Sequence, residues 1–281
     1  MGGSAAYRQR YGLSTPAQAA PVQVAAAQPT MTAQAAAPQP APQSWSAPTY
    51  PSDREIEAMR RQMGQTGLEA GDPNASPNWR KLYANTSKSF NINMYLNSDG
   101  TTIEHPNSNW THNYPRPYTM QMAKNDIARI DRGMKPLTRD VNTVRYTDGV
   151  GLSYILGMGG QRVDVDALMR GVKSGNTSLG TALKNANYVQ KSYTSVSYDP
   201  NRNAYRDMPV RLEIKMRKGT KAIITSNKAE SEIMGAHHLK YNFTGNVRVE
   251  RVQGTIAGKT NGISMGSRRY NREQLVIEVE I

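Results

Sequence analysis

The chain has 281 residues, 37% of them hydrophobic, which is enough for one or two domains with a buried core, and it contains no cysteine for disulfides or thiolate zinc sites. No apolar run approaches the roughly 20 residues of a membrane span, and the N-terminus shows no classical signal peptide. The net charge of +13 favours polyanionic partners, including nucleic acid and phosphorylated cofactors, although solubility alone is an alternative.

Residues 1–51 are rich in Ala, Pro and Gln, and Arg8 and Arg10 are their only charged side chains. Such a segment cannot bury enough apolar surface to offset its ordering entropy. We therefore predict a disordered or extended arm that acts as a tether or a linker. Residues 52–281 are predicted to form one domain, in which 52–77 supply a leading helix, capped by Ser52 or Asp53, and a loop.

Helical patterns dominate the next part of the chain. Residues 78–100 predict one or two helices, and residues 118–135 predict an amphipathic helix with Met122, Ile127 and Ile130 facing inward. Residues 142–149 predict a short strand that ends in a turn, and residues 101–118 a loop.

Strand patterns dominate after residue 188. In the last of them Leu275, Ile277, Val279 and Ile281 alternate with polar residues, as in a half-buried strand. Helices followed by antiparallel-type strands indicate an α+β fold.

Three Glu-x-Glu pairs occur, and their context separates them. Glu55 and Glu57 diverge on the leading helix, while Glu278 and Glu280 fall on the exposed face of the last strand. Glu230 and Glu232 follow the apolar run AIITS, and in an extended segment both would face one cleft. Two such carboxylates can divide the work: one stabilises a developing sugar cation, and the other orients or deprotonates a nucleophile.

Two further features precede this pair in the chain. In the run YTSVS, Ser195 and Ser197 share a strand face, so that their hydroxyls could bond a glutamate or a ribose. Arg145, at the end of NTVR, is a candidate ligand for a phosphate group, which a guanidinium binds in bidentate fashion.

Arg145, the Tyr-x-Ser-x-Ser run at 193–197 and Glu230-Ser231-Glu232 resemble, in their order, the motifs of mono-ADP-ribosyltransferases. The stretch LEIKMRKGTKAIITSNKAESEIM and the closing QLVIEVEI are similar to the toxin-like branch of that family. The resemblance covers roughly residues 78–281. It implies a helical N-terminal part followed by two packed, mainly antiparallel sheets around an NAD cleft.

The resemblance also implies a role for each site residue. Glu232 would bond the nicotinamide ribose and stabilise the oxocarbenium-like transition state, while Glu230 would engage an arginine acceptor. Ser195 would support the NAD pocket and position Glu232. The remaining NAD-binding residues would be Arg145 at the diphosphate or adenosine side, Tyr193 and Ser197 in the pocket, and Arg202 or Arg206 in the loop 198–206.

The chain departs from the family pattern at three places. Val196 replaces a hydroxyl residue between the serines, and Asn97 follows Leu96 where relatives often have Arg. After the second glutamate, this chain has Ile-Met-Gly-Ala followed by His237 and His238, where many relatives have an apolar run and Pro-Arg-Gly-Thr. Neighbouring residues on a strand face opposite ways, so no metal site is expected there.

The sequence therefore predicts an enzyme that cleaves NAD and transfers ADP-ribose to arginine side chains of a host protein. A phage particle or a secretion machine would deliver it to the host cytoplasm, with the arm as the contact. One alternative is a non-catalytic, basic virion or nucleic-acid-associated protein that keeps a transferase-like fold. Another is an enzyme that mainly hydrolyses NAD or modifies an unusual acceptor.

Overall fold

The structure is a computed structural model that describes residues 47–65, 86–103, 118–203, 205–225, 231–260 and 263–281. The predictions for residues 1–46, for the loop at 71–78, for most of the loop at 101–118 and for Glu230 lie outside the described residues.

The described helices lie in the first two thirds of the chain, as the sequence predicts. They are α1 (Asp53–Gln62), α2 (Thr86–Asn97), α3 (Met120–Gly133), α4 (Gly149–Ile155), α5 (Val165–Lys173) and α6 (Ser178–Lys184). Helix α1 begins with a capping box, in which the Ser52 side chain accepts from the Glu55 amide and the Glu55 carboxylate accepts from the Ser52 amide at 2.8 Å. The Glu55 carboxylate is thus hydrogen-bonded within the cap of α1, which agrees with the prediction that Glu55 and Glu57 diverge on this helix.

Helix α3 turns a different face to the protein from the one predicted. Its buried residues are Ala123, Asp126, Ile130 and Gly133, whereas Met122 is 39% exposed. The inward position of Met122 was therefore wrong, while Ile130 is confirmed. The Tyr118 hydroxyl donates to the Asp126 carboxylate at 2.9 Å, and this bond allows a charged residue to occupy the inner face.

The strands lie in the predicted regions, apart from a two-residue strand at Lys135–Pro136, which begins at the end of a predicted helix. They are β1 (Lys135–Pro136), β2 (Val141–Thr147), β3 (Val189–Gln190), β4 (Thr194–Ser197), β5 (Val210–Met216), β6 (Lys221–Ile224), β7 (Glu232–Gly235), β8 (Leu239–Lys240), β9 (Asn242–Thr260) and β10 (Ile263–Glu280). Within the described residues, eight of them form one sheet in the order β1-β6-β7-β4-β2-β5-β10-β9, and β3 pairs with β8. The predicted α+β class is confirmed.

The large sheet has two halves that meet at a narrow junction. Strands β2 and β4 are joined through one registered pair, Val144 with Ser197, whereas β2 and β5 are paired along their whole length from Val141 to Thr147. The two sheets expected from the resemblance are therefore joined by hydrogen bonds into one continuous sheet among the residues that the structure describes. The break between its halves lies beside Ser197.

Buried hydrophobic side chains form two clusters on the sheet. The larger cluster joins α1, α4, α5 and α6 to strand residues that include Val196, Leu212, Ile233 and Ile277. The smaller cluster joins α2 and α3 to β6, β7 and the residue before β4; it consists of Ile92, Leu96, Ile130, Met134, Tyr193, Ile223 and Met234. The successive β7 residues Ile233 and Met234 thus face different clusters, as the period of a strand requires. No helix among the described residues has the length and apolar character needed to cross a membrane.

A network of buried charges crosses β5 and β9. The Glu213 side chain is 5% exposed and accepts two bonds from Arg248, at 2.8 and 2.9 Å, and one from Arg211 at 2.7 Å. Glu250 accepts from both arginines. Burial alone would raise the pKa of the Glu250 carboxyl, but Arg211 and Arg248 outweigh it and hold that pKa below its ordinary value.

The segment before α1 closes over this network. The Asn142 side chain donates to the Thr49 carbonyl at 2.8 Å, so that Tyr50 lies near Glu213 and beside Tyr146. Burial raises the pKa of the Tyr50 and Tyr146 phenols, and the Glu213 charge adds to the shift. Thr49 and Tyr50, which were assigned to the arm from the sequence, therefore contact the domain.

Replacing Glu213 with alanine is expected to lower the free energy of unfolding by about 3–5 kcal/mol, because two largely buried arginines would lose the more buried of the two carboxylates that they share. Glu278, the registered neighbour of Glu213 on β10, accepts from the neutral donors Thr244 and Asn246 and supplies the matched control. We expect Glu278→Ala to cost about 1 kcal/mol. Denaturant unfolding followed by circular dichroism measures both values; equal losses would contradict the central place of Glu213.

Candidate active site

Ser195 and Glu232 are brought into direct contact by the pairing of β4 with β7. The register aligns Ser197 with Glu232 and Ser195 with Met234, so the three polar side chains project from the same side of the two strands. The Ser195 hydroxyl donates to Oε1 of Glu232. Glu232 is only 9% exposed, whereas Ser195 is exposed to solvent, so the pair has one buried and one accessible member.

The turn before β7 fixes where Glu232 begins. Ser231 is fully buried and has φ of +49°, a left-handed conformation that non-glycine residues adopt rarely. The Glu232 carbonyl accepts from both the amide and the hydroxyl of Thr225, each at 3.1 Å, and the Ser231 carbonyl accepts from the Tyr198 amide at 2.9 Å. The backbone that carries the carboxylate is therefore held on both sides.

Ser197 and Tyr193 flank the pair but have other partners as well. The Ser197 hydroxyl donates to the Asp199 carbonyl at 2.8 Å, which stabilises the start of the loop after β4. Tyr193 is 2% exposed and belongs to the smaller cluster, and its hydroxyl donates to Oδ1 of Asp131 at 2.7 Å.

An aspartate that no sequence motif singled out lies behind Tyr193. Asp131 of α3 accepts from Tyr193 through one oxygen, and its other oxygen is 3.1 Å from Nε2 of His237. Burial alone would raise the pKa of the Asp131 carboxyl, but the hydrogen bonds from His237 and Tyr193 outweigh it and lower that pKa. No sequence pattern joins these residues, since His237 is 106 positions beyond Asp131.

Strand alternation predicted that His237 and His238 face opposite ways, but the structure shows that they do not. Strand β7 ends at Gly235, and His238 has φ of +57°, which folds the chain back. Nδ1 of His237 is 2.6 Å from Nδ1 of His238, and the two rings meet edge to face. Among the described residues, no group of three His, Asp or Glu side chains is placed to hold a metal ion.

Arg202 lies beside the turn that carries Glu232. Its Nη1 is 3.3 Å from the Ser231 hydroxyl and contacts both carboxylate oxygens of Asp53, at 3.0 and 2.9 Å. Its Nε is 3.1 Å from Asp199. Arg206, the other loop arginine considered from the sequence, donates instead to the carbonyls of Asn201 and Thr255.

Arg145 lies one strand further along the sheet. The register pairs Val144 with Ser197 and pairs Arg145 with Leu212, a member of the larger cluster. Because neighbouring residues of a strand project to opposite sides, the Arg145 side chain lies on the side of β2 opposite to Val144. Its Nη1 donates to Gln190 at 3.3 Å and to the Tyr241 hydroxyl at 3.4 Å. The register does not bring Arg145 to the side of Ser195 and Glu232, where the motif order led us to expect it.

Two of the departures from the family pattern have simple structural settings. Val196 is 2% exposed and is registered with Ile233 in the larger cluster, so the position between the serines is a core position. Asn97 ends α2 in an exposed position, directly after the buried Leu96.

Comparison with known proteins adds a family to this geometry. A model of the ADP-ribosyltransferase exoenzyme family matches residues 74–280. A search of curated protein sequences found no match.

Several solved structures are similar to the chain. Plx2a, an ADP-ribosyltransferase toxin from Paenibacillus larvae, is 19% identical, with coverage of 80% of this chain and 96% of that chain and a TM-score of 0.47. BECa, an ADP-ribosylating toxin of a C. perfringens binary enterotoxin solved with NADH, is 12% identical, with coverage of 80% and 48% and a TM-score of 0.48. The enzymatic component C2-I of the Clostridium botulinum C2-toxin is 14% identical, with coverage of 79% and 46% and a TM-score of 0.49. The chain thus spans about half the length of the last two proteins.

The Asp131 carboxylate predicts a pH dependence of stability. Because its pKa is lower in the folded chain than in the unfolded chain, its contribution is present above the unfolded value of 3.8 and is lost as the pH falls through the folded value. Between pH 5 and a pH below the folded pKa of Asp131, we expect the melting temperature of Asp131→Asn to fall less than that of the wild type. Asp99→Asn, which removes an exposed partner of Lys191, is the control and should follow the wild type. If the melting temperatures of the wild type and Asp131→Asn fell by the same amount as the pH is lowered, this assignment would be contradicted.

Proposed function

The chain belongs to the ADP-ribosyltransferase exoenzyme family, and we propose that it cleaves NAD and transfers the ADP-ribose group to arginine side chains of a target protein. The predicted family and NAD as the substrate are thereby confirmed. The acceptor, the individual site residues and the route of delivery are parts of the proposal.

The observation that carries the proposal is the Ser195–Glu232 contact. A carboxylate that is nearly buried can stabilise positive charge strongly, provided that it is kept ionised and fixed in direction. The Ser195 hydroxyl orients the carboxylate, and the two Thr225 bonds to the Glu232 carbonyl hold the backbone that carries it, before substrate arrives. In this proposal Glu232 bonds the 2′-hydroxyl of the nicotinamide ribose.

The reaction then balances without a further reactant. The bond between C1′ of the ribose and the nicotinamide nitrogen breaks, and its electron pair leaves with nicotinamide. The positive charge that develops on C1′ and the ring oxygen lies near the Glu232 carboxylate. A nitrogen of the acceptor guanidinium attacks C1′ and loses a proton to a base.

Glu230 is our proposed base, although its side chain lies outside the described residues. A guanidinium has a pKa above about 12 and is a poor nucleophile until a carboxylate orients it and removes a proton. The spacing Glu230-Ser231-Glu232 supports this role, since it keeps a second carboxylate two residues from Glu232 along the chain.

The diphosphate of NAD needs a cation near this pair, and we propose Arg202 as its main ligand. Arg202 reaches Ser231, the residue before Glu232, and its ion pair with Asp53 is exposed to solvent and therefore weakly held. Arg145 remains our second proposed ligand. Tyr193 and Ser197 complete the proposed pocket, Tyr193 from the buried side and Ser197 through the loop that carries Arg202.

For the whole protein we propose a toxin or effector that acts on host proteins, with residues 52–281 as the catalytic domain and residues 1–51 as a contact for a phage particle or a secretion machine. The basic charge also supports the alternative of a nucleic-acid-associated or virion protein that does not turn over NAD. The third candidate is NAD hydrolysis without a protein acceptor.

Labelled NAD incubated with a host extract tests these candidates. We expect label to enter protein with the wild type and to fall by at least about 100-fold with Glu232→Ala, because the group facing the developing charge is removed. Hydroxylamine sensitivity of the product tests arginine as the acceptor. Free ADP-ribose without labelled protein would favour hydrolysis, and no turnover of NAD by the wild type would sink both enzymatic candidates.

Glu230→Gln is the matched variant for the second carboxylate in the same assay. We expect it to reduce transfer to protein more than it reduces NAD hydrolysis, since it removes the base and leaves Glu232 in place. Equal reduction of the two reactions would contradict a role for Glu230 on the acceptor side.

A separate kinetic test concerns the diphosphate. A charge-assisted hydrogen bond contributes about 1.5–3 kcal/mol, so Arg202→Gln should raise KM for NAD by about 10- to 100-fold with a smaller change in kcat. Arg145→Gln is the comparison and should raise KM less, because the register directs Arg145 away from the pair. A larger rise in KM for Arg145→Gln than for Arg202→Gln would contradict our choice of Arg202 as the main ligand of the diphosphate.

A further inference from the structure

The strands β9 and β10 form a two-stranded ribbon that extends beyond the sheet. Strand β5 pairs with β10 only from Leu275 onward, and Leu275 is opposite Val249 on β9. Before Leu275, the hairpin continues through registered pairs from Gln274 with Glu250 up to Ile263 with Thr260. Among the described residues, no third strand pairs with the hairpin before Leu275, so this part of it extends beyond the sheet.

The composition of the ribbon is unusual for this chain. Residues 251–272 contain five cationic residues and no acidic residue, whereas the whole chain has an excess of one positive charge per about 22 residues. The cationic residues are Arg251, Lys259, Arg268, Arg269 and Arg272. Such a stretch repels itself and gains stability from a polyanion.

One face of the ribbon near its base is polar throughout. The register aligns Arg251 with Glu273, Gln253 with Asn271, and Thr255 with Arg269. All of these are exposed except Glu273, which is half-buried and forms an ion pair with Lys173 of α5. A face without apolar side chains is not suited to pack against another protein core.

The other face shows how the ribbon keeps its shape without a core. The Tyr270 ring lies over Gly254, where an added side chain would meet its hydroxyl at 2.7 Å. At the base, the Arg272 side chain donates to the Asp207 carbonyl, and the Gln274 side chain donates to the Arg206 and Met208 carbonyls at 2.7 Å. The ribbon is therefore fixed to the loop before β5.

We propose that the β9–β10 ribbon is a binding arm for double-stranded nucleic acid. The major groove is about 12 Å wide and admits a two-stranded ribbon. Arginines neutralise phosphates, while Gln and Asn side chains can bond base edges. An acidic protein would also be attracted by the charge, but the exposed Gln253, Asn271 and Thr255 between the arginines fit the hydrogen-bonding edges of bases better than a carboxylate surface.

Binding of the full chain to a fluorescein-labelled 20-base-pair DNA duplex, measured by fluorescence anisotropy at several salt concentrations, tests the proposal. The test variant is Arg251→Gln with Arg269→Gln. The matched control is Arg54→Gln with Arg61→Gln, two exposed arginines on α1. NAD cleavage by each variant is measured in parallel and reports whether the site is intact, so failure of the arm and failure of the proposed enzyme are distinguishable.

We expect the test variant to bind at least about tenfold more weakly than the wild type, and the slope of log affinity against log salt to become shallower by about 0.9 for each phosphate that is no longer neutralised. The control should bind within about twofold of the wild type, since two distant charges have only a small effect on attraction across a screened solution. Equal weakening in the two variants, no binding of the duplex by the wild type, or binding of labelled poly-glutamate in place of DNA would overturn the proposal.

Discussion

The alternation of side chains along two neighbouring strands is the constraint on which the site depends. In β4 and β7 the same backbone positions must supply both a core and a polar surface. Val196 and Ile233 face the larger cluster, and this fixes Ser195 and Glu232 on the other side. A shift of one residue in the β4–β7 register would bury the serine and expose the valine. The hydrophobic core therefore holds the Ser195–Glu232 contact in place.

A second constraint comes from the division of the sheet. The halves are joined through Val144 and Ser197, so the relative position of β4 and β2 depends on little backbone pairing. The packing around this junction compensates for it. Tyr146, adjacent to Arg145 on β2, donates to the Pro200 carbonyl at 3.3 Å, and Pro200 follows the loop start that Ser197 stabilises. In the half of the sheet that contains β5 and β9, the Glu213 network links these strands through ion pairs. Charges are tolerated there because the buried Glu213 and the partly exposed Glu250 each have two guanidinium donors.

How much could be predicted from the sequence differs between local and distant features. The strand runs and the cap at Ser52 follow from alternation and capping rules that act over a few residues, whereas the contact of Ser195 with Glu232, 37 positions later, was expected only from the resemblance to the family. Met122 was misplaced because α3 has apolar residues on several phases, and the buried Asp126 hides the true inner face. The contact between His237 and His238 requires a left-handed backbone at a non-glycine residue, which no local pattern indicates. The Asp131–His237 contact joins residues 106 positions apart, and only the assembled fold brings them together.

The leading helix shows the same distinction with a consequence for the site. From the sequence, the segment at 52–77 is an addition before the part that resembles the family. In the fold, Asp53 at the first position of α1 binds Arg202 and also accepts from the Tyr198 hydroxyl at 3.1 Å. Tyr198 and Arg202 bracket the loop after the serine strand, and both reach Ser231, Tyr198 through its amide and Arg202 through its guanidinium. The start of α1, the loop and the turn before Glu232 are thus linked by hydrogen bonds. A change at Asp53 can reach Ser231, the residue before Glu232, through two hydrogen bonds, so Asp53 has to be counted with the candidate site.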